Sequence, residues 1–104
     1  MLDQTKLPEI LTILQEECAE VIQASTKIQR FGLSSEWNGS TTLESLEKEL
    51  GDLLCMIDLL LLAGIIDQDK LDLNKSKKLA KLKIWSSICI NSSETSTSFS
   101  PNVL

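Results

Sequence analysis

The chain has 104 residues, 42% apolar, 24% charged and 4% aromatic, with a net charge of −5 and no histidine. That length holds one domain with a modest core and leaves no room for two. The acidic balance excludes nucleic acid as the main partner, because a phosphate backbone needs a basic surface. A small phosphorylated ligand stays open, since a bound metal reverses the local sign.

In chain order, a first helix is predicted from Pro8, which suits an opening turn, to Phe31, with Gly32 as its C-cap. Residues 33–41, rich in Ser, Gly and Asn, read as a loop, and no strand is expected. A second helix is predicted to start after Thr41 or Thr42, with Glu44 closing a capping box, and to run to Ala63 before Gly64. A turn through Asp67 and Gln68 leads to a third helix, Lys70 to Trp85. It sets Leu79 and Leu82 on one side, keeps Lys75, Lys77, Lys78, Lys81 and Lys83 elsewhere, and ends on Trp85 as a packing residue. Residues 1–85 thus form the folded domain. Residues 86–104 are a polar tail too poor in apolar surface to fold alone.

The stretch from Leu53 to Ile66 is too short to span a bilayer and is interrupted by Asp58, so it reads as a buried helix and no membrane partner is expected. Its apolar residues cover nearly the whole circumference of the second helix. A helix of that kind must be surrounded, and two neighbours in a small chain cannot do it. The expectation is an all-α helical bundle completed by association of copies. Cys18, Cys55 and Cys89 have no paired spacing, and Cys18 and Cys55 sit among apolar helix residues as small hydrophobes. With no disulfide framework and no secretory signal, a reducing cytoplasm is the expected location.

The chemistry lies in two short acidic motifs, Glu16-Glu17-Cys18-Ala19-Glu20 and Glu49-Leu50-Gly51-Asp52. Glu17 and Glu20, like Glu49 and Asp52, stand three residues apart and share a helix face. At about 100° per residue, Glu17 falls inside the apolar stripe of Ile10, Ile13, Leu14, Val21 and Ile28. Glu49 and Asp52 flank Met56 and Leu60. Acids on apolar-flanked faces repel one another unless a cation lies between them. Without histidine or suitable cysteines zinc is excluded, and an all-oxygen set of Glu17, Glu20, Glu49 and Asp52 points to Mg²⁺, with Mn²⁺ as a substitute.

Glu16 projects to the polar side, either solvated or in an outer ligand shell, as Glu44 and Glu47 are solvated. Lys27 lies two turns beyond Glu20, Arg30 one turn further, and both are candidates for phosphate contact. Lys78 and Lys81, in the third helix's basic cluster, are candidates to line a phosphate path. Trp37 has two available roles, capping the bundle or stacking on a base. Asp58 projects away from the acid set.

The EExxE of Glu16 to Glu20, followed by the ExxD of Glu49 to Asp52, resembles the MazG-like branch of the all-α NTP pyrophosphatase superfamily. Lys27 and Arg30-Phe31-Gly32 make the likeness closest to short single-domain phage members, which would place the chain in a host cytoplasm. The resemblance spans residues 8–85. It implies Mg²⁺-dependent hydrolysis of a nucleoside triphosphate, often a deoxynucleotide, to monophosphate and pyrophosphate. It implies Glu17, Glu20, Glu49 and Asp52 as ligands, Glu16 in support, and a homodimer or homotetramer with helices of more than one subunit around the site. Purine deoxynucleotides such as dGTP are one candidate substrate. The alternatives are phosphoribosyl-ATP pyrophosphatase, of the same superfamily, and a non-catalytic helical oligomerisation module.

Overall fold

The computed structural model describes residues 2–88. The tail from residue 89 onward, with Cys89, lies outside the described residues. The chain divides after Ile65 into two units. The fold is all-α. A 3-10 turn, Gln4–Lys6, opens into α1, Leu7–Phe31, and α2 spans Thr42–Leu62. These form the first unit. The second contains α3, Gln68–Trp85. Among the described residues no helix is long and apolar enough to cross a membrane.

Pro8 falls in the first turn of α1, where its missing N–H costs nothing. Gly32 ends the helix at φ +85°, a value that L side chains adopt with strain, and its N–H donates to the Ile28 carbonyl. Along α1 the predicted stripe turns inward against α2, with Ile10 and Ala24 buried and Ile13, Leu14, Val21 and Ile28 half-buried. Met56 and Leu60 of α2, and Ala63 just after it, complete the core. The Gln4 amide donates to the Ala63 carbonyl at 2.7 Å and ties the chain's start to the end of α2.

The segment between α1 and α2 holds an element that the sequence reading lacks. Strands β1, Glu36–Trp37, and β2, Ser40–Thr41, pair antiparallel, with Glu36 opposite Thr41 and Trp37 opposite Ser40. Asn38 and Gly39, both at positive φ (53° and 82°), form the two-residue turn. Asn-Gly favours this primed turn because both residues tolerate the left-handed region. The hairpin is fastened at its base: Thr42 N–H donates to the Ser35 carbonyl and Leu43 N–H to the Leu33 carbonyl. The buried Thr42 hydroxyl donates to the Gly32 carbonyl.

Thr41 caps α2 with the expected capping box. Its hydroxyl accepts from Glu44 N–H at 3.1 Å, and the Glu44 carboxylate accepts from Thr41 N–H at 2.9 Å. The Thr41 backbone donor, then its hydroxyl, holds the Glu44 carboxyl below the usual carboxylate value. The third helix begins two residues earlier than expected, because Asp67 caps it by accepting from Lys70 N–H. Leu79 is buried in α3 and Leu82 half-buried, while its lysines are exposed.

Two expectations about packing are corrected. Trp85 is 82% exposed rather than packed. Cys18 and Cys55 are exposed rather than buried among apolar neighbours. The second helix is open within the single chain, as its apolar girth implies, with Leu54 and Leu62 60% and 61% exposed.

Thr41→Ala is expected to cost about 1 kcal/mol, read as a lower urea midpoint at neutral pH. The Glu44 half of the cap is fully present above the ordinary carboxylate value and is lost as pH falls through its depressed folded value. The Thr41 hydroxyl contributes to that depression, so Thr41→Ala loses this part of it, and the difference between variant and parent should narrow in acid.

Candidate functional site

Glu17 and Glu20 from α1 meet Glu49 and Asp52 from α2, and one carboxylate oxygen of each lies within 4.8 Å of the others. The i,i+3 spacing points each pair at the opposing helix, as the two motifs predict. Glu17, Glu49 and Asp52 are half-buried and Glu20 is exposed. With all four ionised, Glu17 Oε2 and Glu49 Oε2 are buried without a hydrogen-bond partner. Leaving such an oxygen unpartnered costs on the order of 1–3 kcal/mol.

The crowding shows in Glu20. Its carboxyl is raised above the ordinary value, first because it can share a proton with Glu49, then through the charges of Glu49 and Glu17. The cluster therefore strains the fold more as pH climbs through the carboxylate range. One cation answers it. Lys48 Nζ lies 3.0 Å from Asp52 Oδ2 and 3.4 Å from Glu49 Oε1, and Asp52, then Glu49, raise the lysine above its usual value.

A hard divalent cation suits this set. It takes oxygen ligands only, and octahedral Mg²⁺ at ~2.1 Å spaces its ligands by about 3–4.2 Å. Closing from 4.8 Å to that spacing is a matter of small side-chain rotations. Glu17, Glu20, Glu49 and Asp52 would hold it, and it would give the two orphaned oxygens the partner they lack.

One hollow adjoins the cluster and a second lies beside the first. The first, of about 360 Å³, is polar and is lined by Glu20, Gln23, Ala24, Lys27, Ser45, Lys48 and Glu49. The other, of about 480 Å³, is more apolar and is lined by Lys27, Phe31, Ser35, Glu36, Trp37, Ser40, Thr42 and Ser45. Lys27 and Ser45 belong to both linings, so the hollows are neighbours at that point.

Lys27 thus stands between the acids and the aromatic cavity. Trp37 forms a wall of that cavity and, at 76% exposure, caps nothing among the described residues. Arg30 lies over the Phe31 ring at 5.1 Å, a cation–π contact, and lines neither hollow. Glu16 is exposed and stands outside the four-carboxylate group. Lys78 and Lys81 are exposed on α3, in the other unit. Lys48, Ser45, Phe31 and Glu36 were missed from sequence. Only Lys48 carried a readable signal, its i,i+4 spacing to Asp52.

A family model described as the MazG nucleotide pyrophosphohydrolase domain matches residues 5–85. No curated protein and no solved structure matches the chain.

Glu17→Gln replaces one charge of the cluster with an amide that can donate to a neighbouring carboxylate. It is expected to raise the metal-free thermal midpoint by a few degrees, on the order of 1 kcal/mol, and to abolish the further rise produced by Mn²⁺ in the parent. Thermal denaturation with and without Mn²⁺ measures both. A variant with the parent's metal response would remove Glu17 from the ligand set.

Proposed function

The chain belongs to the MazG nucleotide pyrophosphohydrolase domain family, and from that premise we propose that it hydrolyses nucleoside triphosphates, deoxynucleotides included, to the monophosphate and pyrophosphate with Mg²⁺. The observation that carries this reading is adjacency: Glu20 and Glu49 of the four-carboxylate cluster line a polar hollow that shares Lys27 and Ser45 with an aromatic-walled cavity.

Bound Mg²⁺ supplies neutralisation of the triphosphate charge and acidification of water at neutral pH. The chain's own residues do the rest. Glu17, Glu20, Glu49 and Asp52 bind the ion, and Glu16, one residue before Glu17, orients the attacking water as a solvent-facing acceptor. Lys27 contacts the phosphates where the two hollows meet. Trp37 and Phe31 offer flat apolar faces to the base. Glu36 is the one carboxylate in that cavity's lining. As an acceptor it matches the N1–H and exocyclic amine of guanine, which supports a guanine nucleotide, GTP and dGTP alike.

We also propose that the working form is a homodimer or homotetramer. Leu43, Leu50, Leu54 and Leu61 recur at spacings of seven, four and seven along α2, so they share one stripe. The first three of these are 42%, 40% and 60% exposed, and Ile22 of α1 is 65% exposed. Water-exposed apolar stripes on two packed helices suit a second helix pair.

A panel of NTPs and dNTPs with Mg²⁺, resolving monophosphate from diphosphate, tests the activity. Monophosphate and pyrophosphate are expected, with Asp52→Asn reduced at least a hundredfold. Diphosphate and phosphate, turnover of phosphoribosyl-ATP alone, or no turnover by the parent would refute the reading. Sedimentation should give a dimer or tetramer at micromolar concentration and a smaller species for Leu54→Glu. A stable parent monomer would remove the assembly.

A further inference from the structure

Lys48 is the cation that the acidic cluster has recruited from its own helix, and its position raises the question of what it does once a metal arrives. Its ammonium touches Asp52 and Glu49, two of the four ion ligands, yet its side chain is 67% exposed. The contact with Asp52 reaches one turn toward the C-terminus of α2. Helical side chains lean the other way, back over the preceding turn, and for Lys48 that turn carries Ser45. Lys48 and Ser45 both line the polar hollow between the acids and the aromatic cavity. The charge of Asp52 and Glu49 therefore holds the ammonium on the carboxylates at the wall of the hollow. A divalent ion on the same carboxylates weakens that attraction, because its two charges offset those of Asp52 and Glu49 and it competes with the ammonium for their oxygens.

We propose that Lys48 is a tethered counter-ion that exchanges partners: it neutralises Asp52 and Glu49 in the metal-free chain, and metal binding frees its ammonium to grip the nucleotide's phosphates in the hollow it lines. This rests on the nucleotide-hydrolysing reading of the site. The lysine competes with the ion and cooperates with the substrate, so its removal has opposite effects on the two ligands. A solvated lysine has neither effect, and one that merely holds the helices together weakens both.

The test uses the full chain and Lys48→Met, which keeps helix propensity at an exposed position, with Lys48→Arg as the charge-preserving control. Mn²⁺ alone is titrated first, then an α,β-methylene deoxynucleoside triphosphate at saturating Mn²⁺, both by calorimetry. Lys48→Met should bind Mn²⁺ about fivefold more tightly, the scale of one exposed ion pair. It should bind the analogue at least tenfold more weakly, the scale of a lost charge-assisted hydrogen bond, with Lys48→Arg near the parent in both. Unchanged affinity for either ligand, or both weakened together, overturns the exchange while the parent's own binding leaves the hydrolase reading intact. A parent that binds neither Mn²⁺ nor the analogue removes that reading, and the exchange with it.

Discussion

Two helices can close along an apolar seam only where nothing in the seam pushes them apart, and α1 and α2 carry four carboxylates into theirs. The hydrophobic side chains on either side set the spacing that the acids must tolerate. Ile10, Met56, Leu60 and Ala63 are buried, and Ala24 and Thr42 lie on the side where the chain leaves α1 and enters α2. A buried apolar side chain contributes about 1.5–3 kcal/mol, so a handful outweighs the repulsion. The cost surfaces as a raised Glu20, two orphaned oxygens and a lysine drawn across a helical turn. Each is a local sign that the seam is built for an additional positive charge.

The same closure divides labour along one helix face. Glu17, Glu20, Ala24, Lys27 and Phe31 follow one another on α1 at spacings of three, four, three and four. Acid, small residue, base and aromatic thus form a single row, opposite Asp52, Glu49 and Ser45 on α2. The hairpin closes the far end, held by backbone bonds at Thr42 and Leu43 and by the Thr42 hydroxyl. Trp37 and Glu36 therefore stand on a short, well-tied strut rather than on a free loop.

Much of this was legible because it obeys helical periodicity or cap chemistry. The Glu17 position stood out by its angle alone, the Thr41–Glu44 box by its spacing, and Gly32 by its place after the last apolar turn. The hairpin was not legible, because its strands are two residues each and carry no alternation; Asn38-Gly39 was its one mark. Lys48 was overlooked for a different reason. A lysine beside acids reads as a solvated helix residue, and only the opposing helix reveals that those acids form a cluster. The exposure of Trp85, Cys18 and Cys55 was misjudged because an apolar neighbourhood along one helix does not say what covers it.

The unbroken length of α1 has a consequence for what the protein can accept. At 1.5 Å per residue, Glu20 and Phe31 are separated by about 16 Å along the axis, within one helix of 25 residues. The row is a fixed gauge. A molecule that engages the carboxylates at one end and the aromatic cavity at the other must have that reach, with negative charge at its middle. On the proposed reading, a nucleotide shortened by one phosphate would leave one end unfilled, so discrimination by length would rest on the helix itself, independent of any contact that reads the base.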